Sequence, residues 1–220
     1  MRLILPLLFG LVGAAVLVGL GVWQLQRLDW KEGVIAEITA RIVADPVPLP
    51  ADPDPAADRY LPVTLRGTVV GAAAPVFGTW RGAGAGDRIV VPVETGDRRV
   101  LVDLGVSPYD PAAAGTAPVL PDGPLTVTGN LDWPEDGGDP PEGGRWYGRD
   151  VPALSAALGT EPVLVVAREV VPDPGLVPAP VGVEGIPNNH LGYAIQWFGL
   201  AMVWLGMTGF LLWRMTRRTA

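Results

Sequence analysis

The fold class this sequence predicts is a membrane protein in which two transmembrane helices flank a β-rich (α+β) extracytoplasmic domain, a small antiparallel barrel or sandwich. Three observations carry that reading. Leu3 to Trp23 and Leu191 to Trp213 are uncharged and apolar, and each exceeds the roughly 18 residues of a membrane-span candidate. The stretch between them alternates apolar and polar residues with the period of strands. Finally, 24 prolines and 29 glycines in 220 residues suit a loop-rich β domain better than a helical one. The expected division is 1–26 for the first transmembrane helix, 27–189 for the β-rich domain, 190–213 for the second helix and 214–220 for a basic tail.

The first span is read as a retained anchor rather than a cleaved signal peptide. No small-x-small cleavage site follows its apolar core, which runs on through Gly21, Trp23 and Gln24 to Arg27. In the middle, Val63, Leu65 and Val69 alternate with Thr64, Arg66 and Thr68 as a first strand. Arg88 to Glu94 and Arg98 to Val106 pair around the turn Thr95-Gly96-Asp97, with Val100, Val102, Leu104 and Val106 on one face. Leu125, Val127 and Leu131 mark another strand, and the continuously apolar Pro162 to Val170 marks a central one. One short helix is expected over Val151 to Leu158, with Asp150 as N-cap, Pro152 in the first turn and Gly159 as the stop. Asp45 to Asp58, Pro108 to Pro124, Pro134 to Gly144 and Pro172 to Pro187 read as connecting segments.

Charge fixes an orientation. Arg214, Arg217 and Arg218 follow the second span, whereas no Lys or Arg lies between Arg168 and that span. Positive residues collect on the cytoplasmic side, so both termini are expected there, although Arg27 and Lys31 pull mildly the other way. The expectation is a multi-pass protein of a bacterial cell inner membrane with its central domain periplasmic. Residues 28–189 hold eleven basic and all 23 acidic residues, a net −12 that argues against nucleic acid as a partner.

Catalytic chemistry finds little to work with. There is no cysteine, so thiolate chemistry and C-x-x-C-H haem attachment are excluded. There is one histidine, and no G-x-S-x-G, H-E-x-x-H or Walker loop. The Gly-rich run Gly82 to Asp87 resembles a phosphate cradle but precedes a strand rather than a helix, so it reads as a hairpin loop. Asp132, Glu135, Asp136, Asp139 and Glu142 read as a solvated acidic loop. The expectation is a non-enzyme.

The membrane borders are richer. Trp23, Arg27, Trp30 and Lys31 share one face of a helix leaving the bilayer. They form either an interfacial aromatic belt with basic anchors or an anion-binding rim suited to carboxylates such as haem propionates. His190, Tyr193, Trp197 and Trp204 fall on one stripe of the second span, and Gly192, Gly199 and Gly206 on the opposite face. Glycines let another helix approach closely. If that helix is the first span, the His190 stripe faces away. Asn188 or Asn189 is the expected N-cap. His190 is either a first-turn residue bonded to backbone or water, or a single axial ligand to haem iron.

Four segments resemble the surfeit locus protein 1 family. They are Gly21-Val22-Trp23-Gln24-Leu25-Gln26-Arg27-Leu28-Asp29-Trp30-Lys31, Val100-Leu101-Val102-Asp103, Arg145-Trp146-Tyr147-Gly148-Arg149-Asp150, and Asn188-Asn189-His190-Leu191-Gly192-Tyr193-Ala194-Ile195-Gln196-Trp197-Phe198. The first and last are specific in combination. The resemblance implies an assembly factor for aa3-type cytochrome c oxidase that binds haem a transiently and assists its insertion at the haem a3 site of subunit I. The alternative is a cofactor-free membrane scaffold holding subunit I during assembly. The partners implied are subunit I, haem a synthase and membrane lipid. His190 is the implied metal ligand, with Tyr193, Trp197, Trp23, Arg27 and Lys31 as its cofactor-binding surroundings. One departure stands out. After Val102-Asp103 the family commonly has an arginine and then Gly-Trp-Val-Pro, where this chain has Leu104-Gly105-Val106-Ser107-Pro108. Whatever that arginine and tryptophan do is either lost here or done by other residues, with Arg98 and Trp146 the candidates.

Overall fold

The computed structural model describes residues 3–110, 120–134 and 145–217. Its contacts divide the chain into two compact units, Met1–Glu37 with Val183–Ala220, and Ile38–Gly182.

Helix α1 (Ile4–Ile42) as far as Glu37 and helix α3 (His190–Arg217) supply the first unit, and the end of α1 from Ile38 belongs to the second. Both helices are long and apolar enough to cross a membrane. Only 17% of the apolar window of α1 and 6% of that of α3 is buried, which separates them from the core helices of a soluble protein. At 1.5 Å per residue, the 39 residues of α1 extend about 58 Å, well beyond a hydrocarbon core of about 30 Å. The helix continues beyond its apolar stretch, as expected of a helix leaving the bilayer. It runs through the Trp23–Lys31 face and ends where side chains take over its last carbonyls. The Ile42 carbonyl accepts from Asn130 Nδ2 at 2.9 Å and from Arg168 Nη1 at 3.0 Å.

The second unit is one sheet of β1 (Val47–Pro48), β2 (Pro62–Val69), β3 (Ala74–Trp80), β4 (Gly84–Thr95), β5 (Arg98–Pro108), β6 (Pro124–Asp132) and β7 (Leu164–Val171). Strand order is β1-β2-β6-β7-β5-β4-β3, and β2 also pairs with β4 through Thr68↔Glu94 and Val69↔Val93. The pairings β2–β6–β7–β5–β4–β2 are thus cyclic. The expected purely antiparallel sheet is corrected here: β5 pairs with β7 in parallel, as does β1 with β2. The reason is parity. A ring of five strands cannot alternate direction all the way round, and the one like-directed neighbour pair is β5–β7.

Strand alternation builds two cores. Val63, Leu65, Val91, Val93, Val100, Val102, Leu104, Val127 and Val165 share one buried cluster, and Val76, Val90, Leu101, Leu164 and Val166 share the other. Helix α2 (Val151–Leu158) packs Val151 and Leu154 on the second cluster, with the buried Trp146. Its ends are as the sequence suggests: Asp150 accepts from the Ala153 amide at 2.8 Å, and Gly159 takes a left-handed φ of 66°. β7 is central, flanked by β5 and β6. The turn at Gly96 joins β4 to β5. The Gly-rich run is partly strand: the β3–β4 turn is confined to Arg81–Ala83, and Gly84 to Asp87 pair with Trp80 to Phe77. Glu135, Asp136, Asp139 and Glu142 lie outside the described residues, whereas Asp132 ends β6 in a buried position.

Candidate functional site at the start of helix α3

The first unit is an antiparallel helix pair with its small residues on α1. An added Cβ at Gly10 would run into Thr208, at Gly13 into the Trp204 indole, and at Gly21 into the Phe198 ring. Gly192, Gly199, Gly206 and Gly209 of α3 meet nothing within 4 Å. Ala194 and Ala201 are buried, and Trp204 Nε1 donates to the Gly10 carbonyl at 3.0 Å. The glycine face of α3 is therefore open, and the stripe carrying His190 and Trp204 is the one that faces α1. This reverses the expected consequence of α3 packing on the first span. The close approach comes from Gly10, Gly13 and Gly21, so α3 keeps its large side chains inward as knobs.

His190 opens α3, and the Asn189 carbonyl accepts from the Tyr193 amide at 3.3 Å, placing Asn189 at the N-cap position. The imidazole is half-buried, and its Nδ1 lies 2.8 Å from Oε1 of the buried Gln24. With Gln24 Oε1 as the acceptor, Nδ1 is the donor, and the neutral form of the ring then keeps its lone pair on Nε2. This is the arrangement in which a second residue fixes the tautomer and orientation of a ligating histidine. Nδ1 is thus held by a side chain of the neighbouring helix rather than by backbone.

The other residues proposed from the sequence collect at the same end of the pair without all touching. Trp23 is half exposed beside Gln24, and Tyr193 is half exposed one turn after His190. Trp197 is partly buried a further turn along. The Arg27 guanidinium lies 3.9 Å over the Trp30 ring, and Lys31 follows one residue on. A shallow cleft of about 430 Å³ beside the histidine is lined by Asn188, Asn189, Gly192, Tyr193 and Gln196. No group of three or more His, Cys, Asp or Glu side chains able to hold a metal ion occurs among the described residues, so the donor chemistry here is that of a single imidazole.

Residues 11–202 match the SURF1 family. The chain belongs to the SURF1 family. It is 32% identical over 212 residues to surfeit locus protein 1 of Rattus norvegicus, covering 83% of this chain and 67% of that protein. The human protein of the same name is 32% identical over 217 residues (83% and 69%), and a SURF1-like protein of Caenorhabditis elegans is 28% identical over 222 (84% and 67%). SURF1 membership makes the chain a cytochrome c oxidase assembly factor, in a family that is not catalytic.

Sequence reasoning missed two features of this SURF1 chain. Gln24 lies inside the quoted first motif, yet nothing in a linear reading singles it out as the partner of His190. The second is a polar cluster in the β domain. Arg88 Nε donates to Asp103 Oδ2 at 2.5 Å, its Nη2 donates to the Ala179 carbonyl, and the Gly105 amide donates to Asp103 Oδ1 at 3.2 Å. Burial is the largest influence on both groups. It pushes the Asp103 carboxyl above the usual carboxylate range against the pull of Arg88 and Arg149, and it lowers Arg88. The cation facing Asp103 comes from β4. Arg98 forks onto Glu161, with Nη2–Oε2 at 2.6 Å, and that hydrogen bond raises its pKa. Within this segment Gly105, where the chain keeps the family's glycine, is required locally. Gly105 has a φ of 126°, a Cβ there would sit 2.7 Å from the Val177 carbonyl oxygen, and Val106 and Val177 exchange both backbone hydrogen bonds.

Proposed function

We propose that this chain binds haem a as cargo through Nε2 of His190 and assists its insertion into subunit I of an aa3-type oxidase, at the haem a3 site. The observation that carries the reading is the Gln24–His190 contact, which holds Nδ1 and leaves Nε2 as the nitrogen that a neutral imidazole at the start of a membrane helix offers to iron. Bound haem would supply the iron that the imidazole coordinates. Gln24 orients the ring. Tyr193, Trp197 and Trp23 offer apolar and aromatic surface beside it, and Arg27 with Lys31 offers cations suited to propionates. Subunit I is the receiving partner, haem a synthase the supplier, and the bilayer the medium. The protein sits in a bacterial inner membrane with both termini cytoplasmic and its sheet domain, whose cyclic pairing we read as a small barrel, in the periplasm.

The second reading is a cofactor-free scaffold for subunit I, and one observation favours it. The Gly192, Gly199 and Gly206 face of α3 is open to another helix. Co-purification from cells making haem a separates the two. The haem reading predicts a pigment absent from His190→Ala, whereas a folded, colourless wild type that still holds subunit I supports the scaffold.

A further inference from the structure

We propose that the groove between α1 and α3 at the Arg214 end of the helix pair binds one anionic phospholipid, with an acyl chain along the groove and the phosphate on Arg214. The inference rests on both helices crossing the bilayer and is independent of what His190 binds. The groove measures about 720 Å³, within the range of about 300–1,000 Å³ that accommodates small ligands. Leu5 and Phe9 of α1 and Trp204, Met207 and Leu211 of α3 form its apolar wall, and Arg214 is the one charged residue among the described ones that line it. The wall is held in place. Trp204 donates Nε1 to the Gly10 carbonyl at 3.0 Å, and its ring lies 5.3 Å from that of Phe9. Thr208, also in the wall, donates its hydroxyl to the Trp204 carbonyl at 2.8 Å, so its polar atom is satisfied within α3.

Depth and charge select the occupant. Trp204 to Arg214 is ten residues, about 15 Å along α3, which is half of a hydrocarbon core of about 30 Å. Arg214 is the first charge after the uncharged run that starts at Leu191. The groove therefore has the depth of one leaflet and ends in a cation at the level of that leaflet's phosphates. No Asp or Glu occurs from Ile4 to Leu28 or from His190 to Arg217, and Asp29, the first acidic residue of α1, lies about 36 Å along the axis from Leu5. No acidic side chain at this end of the pair thus neutralises Arg214. Basic pockets between transmembrane helices hold anionic headgroups, and a planar guanidinium can meet two phosphate oxygens at once. A partner helix seated in the groove would have to take Arg214 against its own apolar face, which is costly, whereas a lipid brings the counter-charge with it. Arg217 is held over the Trp213 ring at 4.3 Å, outside the groove.

The test is native mass spectrometry of the full chain, stripped of lipid in mild detergent and titrated with dioleoyl phosphatidylglycerol, which is anionic, or with dioleoyl phosphatidylcholine, which has the same chains and no net charge. One phosphatidylglycerol is expected to bind saturably, about tenfold tighter than phosphatidylcholine. Arg214→Gln is expected to bring the two lipids within about twofold of each other. Arg217→Gln makes the same charge change outside the groove and is expected to keep most of the preference. Leu211→Trp fills the groove without touching the charge and is expected to weaken both lipids; if Arg214→Gln does not fold, that loss, set against an unchanged Arg217→Gln, supports the site in its place. Equal binding of the two lipids by the wild type overturns the site. So do equal losses in Arg214→Gln and Arg217→Gln, which would mean diffuse attraction to the basic end, and a dimer that excludes lipid, which would mean that a second copy covers the groove.

Discussion

Replacing glycines on the two faces of the helix pair should have opposite consequences. At Gly13, a new Cβ would lie 2.6 Å from Trp204 Cε2 and 2.7 Å from Cζ2. At Gly21 it would lie 2.6 Å from Phe198 Cε1 and 2.7 Å from Cζ. Carbon atoms in good contact sit about 3.5–4.0 Å apart, so each ring must retreat by about 1 Å. Such overpacking costs about 1–3 kcal/mol per site. Retreat of Trp204 also breaks its 3.0 Å bond to the Gly10 carbonyl, adding about 1 kcal/mol. Gly13→Ala should therefore weaken the helix pair by about 2–4 kcal/mol and Gly21→Ala by about 1–3 kcal/mol, where about 1.4 kcal/mol is tenfold in the equilibrium. Gly199→Ala and Gly206→Ala meet nothing within 4 Å and should change little. The chain has no cysteine, so an Ala14→Cys/Ala201→Cys pair, both positions being buried, reports helix pairing on its own. Its crosslinking yield as SDS is added should fall earlier for Gly13→Ala and Gly21→Ala, and not for the other two. Loss of crosslinking in Gly199→Ala and Gly206→Ala, with Gly13→Ala and Gly21→Ala unaffected, would refute the assigned facing.

Three further outcomes are expected. Asn130→Ala removes both 2.9 Å bonds from Nδ2 to the Ile42 and Tyr60 carbonyls and should destabilise the β domain by about 2–4 kcal/mol in chemical denaturation. Because burial raises the Asp103 pKa, the folded state keeps its proton where the unfolded chain has released it; stability from this group is full below about 3.8 and is lost as pH rises through the folded value, so the Tm gap between wild type and Asp103→Asn should shift with pH in that direction. Gln24→Ala frees Nδ1 of His190 and should lower haem retention about tenfold, with Arg27→Ala having a smaller effect because an exposed charge is screened; equal retention in Gln24→Ala and wild type, measured from the pigment spectrum, would remove its positioning role.

The legible parts of this fold are those that local chemistry determines. Asp150, Pro152 and Gly159 define α2 because a cap, a first-turn proline and a left-handed stop act within a few residues. The hairpin at Gly96 is local in the same sense, and the apolar run of β7 declares a strand buried on both faces. β3 was hidden because Pro75 and Gly78 interrupt any alternation over Ala74–Trp80, and β1 because two residues carry no period. The Arg88–Asp103 contact depends on the register shift between Arg88 and Val90 opposite β5, which is a tertiary fact. How far α1 outlasts its apolar stretch was not legible, because no local stop signal precedes its end at Ile42. In the site, His190 was conspicuous as the single histidine. Its facing was not, because α1 and α3 both carry glycines and only packing decides which set is filled. The signal available was the closely spaced Gly10, Gly13 and Ala14 of α1, backed by Gly21.

The central claim is that His190 holds haem a with Gln24 positioning it, and the most direct measurement is the haem a to protein ratio. Wild type and His190→Ala would be purified side by side in mild detergent from cells that make haem a, and pigment extracted from each. The account predicts haem a in wild type and its loss from a folded His190→Ala. Undiminished haem a in His190→Ala, or a folded wild type without pigment, would contradict it.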